Sequence, residues 1–271
     1  MFLRRLFGGR AARGPKLPNF FIIGANKGGT TSLAMYLDEH PQAFLCWPKE
    51  PHFFGRVDLL QREPGPVAQG GAMLKKYAQD ALSMTTLDEY ATLFAKAPAG
   101  VIAIGEASTG YLASQRAARN IRHVLPQARL VVSLRNPAER AFSNYKMYRK
   151  EGLEQGGDFM AIIRENPGNW YVNLGYYGRQ LAHWLSLFPR DQLRVYLFED
   201  LAADPAAVCR DVFSFLGVSP SFVPDVGRRY NVSESREDMP EEARAFLTAI
   251  YREDILRLQD LIRRDLSAWL G

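Results

Sequence analysis

The chain has 271 residues, 47% apolar and 23% charged, which is ordinary for a globular protein with a full core and enough for one large α/β domain or two small ones. The net charge of +5 sits in the first eighteen residues, where Arg4, Arg5, Arg10, Arg13 and Lys16 meet no acid; the other 29 basic groups match the 29 acidic ones. A near-neutral body argues against a nucleic-acid partner, two cysteines without CxxC spacing against a disulfide framework or a zinc site, and the lack of ~20 consecutive apolar residues against a membrane span.

Residues 1–18 read as a disordered basic tail, with weak attachment to an anionic membrane or substrate as the alternative. Residues 19–271 read as a single domain, in a cytoplasmic protein. The first element is "FFIIG" (20–24), short, apolar and stopped by glycine, as a buried parallel strand should be. "TTSLAMYLDEHP" (30–41) follows as a helix, with Thr30 or Thr31 as its cap and Pro41 just past its end. "QAFLCW" (42–47) reads as a second strand, and 55–86 as irregular. "TLDEYATLFAKA" (86–97) is a short amphipathic helix. "VIAIGE" (101–106) and "RLVVSLR" (129–135) are two more buried strands. A helix opens at Pro137, another covers 176–188, and "QLRVYLFEDL" (192–201) reads as a strand. "DPAAVCRDVFSFLGV" (204–218) is a helix from an Asp cap to Gly217. A long amphipathic helix covers 239–266, with Leu247, Tyr251, Ile255, Leu258 and Ile262 on one face. Strand and helix alternate throughout, which predicts a three-layer, P-loop-like α/β fold with a mainly parallel sheet flanked by helices. Ligands in such folds bind beyond the carboxyl ends of the strands.

The loop after the first strand reads G-A-N-K-G-G-T-T-S. Glycines let backbone N–H groups turn inward, and the following helix adds a positive N-terminus. Lys27, Gly28, Gly29, Thr30, Thr31 and Ser32 therefore form a candidate cradle for a phosphate-like anion. The lysine precedes the glycine pair, whereas a Walker loop places it beside the metal-binding hydroxyl. No Walker-type acidic partner stands out, since "RLVVSLR" ends in Ser133 and Arg135. The order suits an anion held by lysine and backbone without a metal.

With K-G-G-T-T in place, the chain resembles the sulfotransferases that use 3′-phosphoadenosine 5′-phosphosulfate (PAPS), in particular the glycosaminoglycan and heparan sulfate branch. In "SLRNPAERAFSNYKMYRKEG", Arg135 stands eight residues before Ser143, similar to the family element that grips the donor's 3′-phosphate. The downstream "NLGYYGRQLAHWLSLFPRDQLRVYLFEDL" and the final "RDLSAWL" also resemble the family, the latter its bacterial members. The resemblance implies that Lys27 stabilises the leaving phosphate and that Glu50, in "WPKEPHFFG", is the general base. His52 is a second candidate, or orients Glu50. "GRRYNVSES" resembles the late loop that closes over the nucleotide, which makes Arg228, Arg229 and Asn231 candidate contacts. In "GEASTGYL", Ala107 stands where some heparan-type relatives carry lysine, and Glu106 is either a substrate contact or the buried partner of a basic residue. The implied acceptor is a hydroxyl, less readily an amine, on a carbohydrate, lipid or small molecule. Trp170, Tyr171 and Tyr176 would form either an aromatic floor for it or ordinary packing. A P-loop kinase or nucleoside triphosphatase, and a non-catalytic nucleotide- or glycan-binding protein, remain the competing classes.

Overall fold

The computed structural model describes residues 16–57, 59, 83–154, 157–228, 230 and 237–271. Among these, five strands form one sheet in the order β2-β3-β1-β4-β5, and every pairing is parallel. They are β1 (Phe20–Gly24), β2 (Ala43–Leu45), β3 (Ala103–Ala107), β4 (Arg129–Leu134) and β5 (Leu193–Leu197). The helices are α1 (Thr30–Asp38), α2 (Phe53–Arg56), α3 (Leu87–Ala91), α4 (Gln115–Val124), α5 (Pro137–Lys150), α6 (Phe159–Glu165), α7 (Trp170–Asn173), α8 (Tyr177–Leu187), α9 (Phe198–Ala203), α10 (Pro205–Leu216) and α11 (Glu241–Ile262).

The centre of the sheet explains why β1 has no polar face. Phe21 and Ile23 point into one core with residues of α4, α5, α8 and α11, while Phe20 and Ile22 point into the other with α1 and α10. A strand buried on both sides reads as a continuous apolar run. The same alternation runs through β4, where Leu130, Val132 and Leu134 face one core and Val131 the other. Local caps then set where helices begin. Asn136 accepts from the N–H groups of Ala138 and Glu139, with Pro137 at the first helical position. Asp204 does the same for Ala207 at the start of α10, which ends before Gly217.

Some boundaries differ from the sequence reading. Neither Thr30 nor Thr31 caps α1; Gly29 does, at φ 84°, and both threonines lie inside the helix. The stretch 192–201 is not one strand. β5 stops at Leu197, and "FEDL" begins α9, because Asp200 turns back to accept the Leu197 N–H at 3.0 Å and is itself held by Arg264. The long last helix is shorter at both ends, closing where Arg263 adopts φ 54°. Residues 16–18 belong to the fold, since the Lys16 ammonium donates to the Ala97 and Pro98 carbonyls. The rest of the basic tail and most of 55–86 lie outside the described residues.

Candidate active site

A parallel sheet brings all its carboxyl ends to one edge, and each strand delivers a site residue there. Lys27 follows β1, Lys49 to His52 follow β2, Ser108 and Thr109 follow β3, Arg135 follows β4 and Phe198 follows β5. The β1–α1 loop is locked onto β4. The Ala25 N–H donates to the Ser133 carbonyl at 2.7 Å, and the Ser133 hydroxyl donates to the Gly28 carbonyl at 2.6 Å. Gly28 lies so close to β4 that a Cβ there would sit 2.2 Å from the Ser133 carbonyl oxygen. Helix α1 then starts at Thr30, and its first-turn N–H groups have no carbonyl behind them.

Positive charge collects over this loop. Burial lowers the pKa of Lys27, and the nearby charges of Arg135 and Lys146 lower it further. The Lys27 ammonium has only the Met147 sulfur, at 3.6 Å, as a polar partner among the described residues. Arg135 stacks over the Phe198 ring at 5.0 Å and pairs with Glu139 at 3.5 Å. On α5 the residues 139, 143 and 147 are each one turn apart, so Ser143 lies on the face that carries Glu139 and Met147. Arg135 and Ser143 thus come to the same side as Lys27. Arg140, by contrast, is fully buried and donates to the Tyr171 carbonyl, which makes it a core residue.

The second half of the site is the segment after β2. Glu50 is one-quarter exposed and lies 3.0 Å from His52 Nε2. Thr109 donates to Glu50 twice, from its backbone N–H at 2.8 Å and its hydroxyl at 3.1 Å. Burial acts to raise the Glu50 pKa. The hydrogen bond and charge of His52, the Lys49 ammonium and the Thr109 N–H outweigh it, so the carboxyl is held below its ordinary range. Glu50 is therefore a carboxylate at neutral pH. Among the described residues only four non-glycine residues have positive φ, and three are Lys27 at 64°, Glu50 at 61° and His52 at 50°. Such conformations cost about 1–3 kcal/mol each and persist only where the surroundings enforce them. Phe53 and Phe54 pack beneath, Phe53 stacked on Tyr90 at 4.6 Å.

Lys49 is a site residue that the sequence did not single out. Its ammonium donates to the Thr31 hydroxyl at 3.1 Å, so it joins the two halves of the site, and burial lowers its pKa. Its position next to Glu50 was the one available signal. Thr109 and Lys146 were likewise missed, because their roles come from strands and helices far away in sequence. The late loop does reach the site. Tyr36 donates to the Arg228 carbonyl at 3.0 Å, the Ser32 hydroxyl to the Tyr230 carbonyl at 3.5 Å, and the Arg228 guanidinium stacks on Tyr230 at 5.2 Å. Arg229 and Asn231 lie outside the described residues. The aromatic trio is divided by packing: Trp170 and Tyr171 join Tyr148, while Tyr176 joins Tyr251.

The profile of the sulfotransferase family matches residues 18–222. The chain is 28% identical over 291 residues to the bifunctional heparan sulfate N-deacetylase/N-sulfotransferase 2 of Bos taurus, an alignment covering 94% of this chain and 31% of that protein. It is 31% identical over 218 residues to the heparan sulfate glucosamine 3-O-sulfotransferase 6 of Homo sapiens, covering 76% of this chain and 55% of that one. The chain thus spans a third to a half of the length of these curated relatives. Among solved structures it is similar to a sulfotransferase from Alicyclobacillus acidocaldarius, with a TM-score of 0.77 and 36% identity over 94% of this chain and 100% of the other.

Proposed function

This chain belongs to the sulfotransferase family, and on that footing we propose that it moves a sulfuryl group from PAPS to an acceptor hydroxyl, or less readily an amine. The observation that carries the reading is the crowd of cations at the glycine loop. Burial and the charges of Arg135 and Lys146 lower the pKa of Lys27, and among the described residues Lys27 has no carboxylate against it. Mutually repelling cations around a tight turn and a helix N-terminus fit a polyanion. The donor supplies the sulfuryl group and leaves as adenosine 3′,5′-bisphosphate. Gly28, Gly29, Thr30, Thr31 and Ser32 would hold its 5′ end, and Arg135 with Ser143 its 3′-phosphate through charge-assisted bonds. Lys27 would neutralise the phosphate oxygen as the bond to sulfur breaks. Glu50, ionised at neutral pH, would accept the acceptor's proton, with His52 fixing its orientation. The cations of the chain supply the positive charge in this scheme, so no metal enters it.

The two relatives' names pair an amine with a hydroxyl of heparan sulfate. A glycan with both groups is therefore the first acceptor to try, followed by lipid and small-molecule hydroxyls. Both cysteines are free and buried, in keeping with a cytoplasmic setting. The test is turnover of PAPS by wild type and Glu50→Gln with such acceptors. We expect transfer to fall about 10²-fold or more while bisphosphate binding persists. Unchanged transfer would remove Glu50 from the role of base.

A further inference from the structure

Glu106 takes no part in the scheme above, yet it is the most deeply buried acid near it. It lies on β3 with no exposed surface. One carboxylate oxygen, Oε2, accepts a hydrogen bond from the Tyr90 hydroxyl. The other, Oε1, is buried and takes no hydrogen bond of ordinary geometry. The sequence left Glu106 as a substrate contact or the partner of a basic residue. Among the described residues it forms no ion pair with a basic residue, and its hydrogen-bond partner is a hydroxyl. The hydroxyls of Tyr111 and Ser108 lie close enough to favour its ionised form.

The same two hydroxyls have a second job. The Ser108 oxygen accepts the His52 N–H at 3.0 Å, and the Tyr111 oxygen accepts the Phe54 N–H at 3.1 Å. One step earlier, the Glu50 N–H donates to the Ala107 carbonyl at 3.0 Å. Alternate N–H groups at 50, 52 and 54 are thus pinned to the end of β3 and the turn after it. This stretch contains two of the positive-φ residues, Glu50 and His52, which need such enforcement. A hydroxyl has one hydrogen to give and two lone pairs to offer. A carboxylate can only accept. An ionised Glu106 therefore draws the hydroxyl hydrogens inward and leaves the oxygens facing the backbone of 52 and 54.

We propose that Glu106 is a positioning residue for the Glu50–His52 pair, acting through the Ser108 and Tyr111 hydroxyls that hold the backbone of residues 52 and 54. The proposal rests on the role of Glu50 given above. It also implies a dependence on pH. Burial pushes the Glu106 carboxyl up to about 7, against the pull of Tyr90, Tyr111, Ser108 and His52. The carboxyl is charged above that value and neutral below it. A neutral carboxyl has a hydrogen of its own to donate and competes for the same hydroxyl oxygens. Positioning is therefore present above about pH 7 and lost as pH falls through it. Of the other groups facing Glu106, Tyr90, Tyr111 and Cys46 are all pushed well up by burial and stay neutral across this range, and the His52 imidazole faces it as well.

The test is the turnover of Glu106→Gln, measured as bisphosphate release from PAPS with the acceptors above. Bisphosphate affinity and melting temperature are read alongside it. We expect a folded protein with unchanged bisphosphate affinity and a kcat about 10²-fold lower, the scale of a misplaced reacting group. Adding Tyr111→Phe and Ser108→Ala to Glu106→Gln should cost little more, because all three act as one unit. The wild-type to Glu106→Gln ratio of kcat should fall toward one as pH drops through about 7. If Glu106→Gln does not fold, the Ser108→Ala/Tyr111→Phe protein, which keeps the carboxylate, replaces it in the ratio. A wild-type kcat in Glu106→Gln, fully additive losses, or a ratio independent of pH would each overturn the proposal. Glu50→Gln is the control: if it too turns over normally, the base assignment has failed, whereas if it alone is inactive, only the positioning role has.

Discussion

The β1–α1 loop and the segment 49–55 form the two walls of one site, but they are held in shape by different means. The loop owes its shape largely to glycine, Gly29 at φ 84° and Gly28 against β4, with Lys27 at φ 64° beside them and Ser133 of β4 tying it down. The segment has ordinary side chains at positive φ, Glu50 and His52, enforced from outside by Ala107, Ser108, Thr109 and Tyr111. The charges differ as well. The loop crowds Arg135 and Lys146 around Lys27, whose ammonium has only the Met147 sulfur as a polar partner among the described residues, and the segment surrounds a carboxylate with donors. Under the proposed function, the first arrangement takes up an anion and the second holds a carboxylate that accepts a proton.

If the loop is held by its glycines, Gly28→Ala should do the most damage. The added Cβ would meet backbone, not a movable side chain, 2.2 Å away. We expect about 1–3 kcal/mol of lost stability, seen in thermal melts, together with loss of bisphosphate binding. Lys27→Met comes next and separates binding charge from folding. It should lower kcat about 10²–10³-fold while raising the melting temperature, since it removes a buried cation from beside two others. A lowered melting temperature would contradict the reading of Lys27 as uncompensated.

A gentler probe uses pH. The Lys27 pKa lies below that of a free lysine, and a bound anion should raise it again. Between those two values binding takes up a proton, so affinity should fall as pH rises through the lower one. Calorimetry in alkaline buffers of different ionisation enthalpy reads the uptake directly. The smallest effect belongs to the segment. Thr109→Val removes the hydroxyl bond to Glu50 but keeps the N–H bond. The Glu50 pKa should rise toward its ordinary range, and kcat should fall only few-fold, in line with about 1 kcal/mol for one hydrogen bond. A loss as large as that of Lys27→Met would mean that the segment has no reserve of contacts.

The same difference explains what could be read in advance. Glycine, lysine and hydroxyl residues between an apolar run and a helix announce their backbone geometry, so the shape of the loop was legible at Gly28, Gly29 and Lys27. The alternation of strands and helices likewise gave the parallel sheet. The segment was legible only through its resemblance to the family. Glu50 is surrounded by Thr109, fifty-nine residues later, and nothing local in "WPKEPHFFG" reports that. Nothing beside Lys49 in the sequence announces that Thr31 lies against it. The end of β5 was misread for a similar reason, since the turn into α9 depends on Asp200 and the distant Arg264.

The most direct measurement is a calorimetric titration of the wild-type protein with adenosine 3′,5′-bisphosphate in the absence of magnesium, with ADP and magnesium ATP as controls. Tight binding of the bisphosphate, with ADP much weaker, is the expected result: the loop holds the 5′ anion while Arg135 and Ser143 read the 3′-phosphate. Binding of magnesium ATP without the bisphosphate would contradict it, restore the kinase reading, and remove the roles given to Arg135, Ser143 and Glu50.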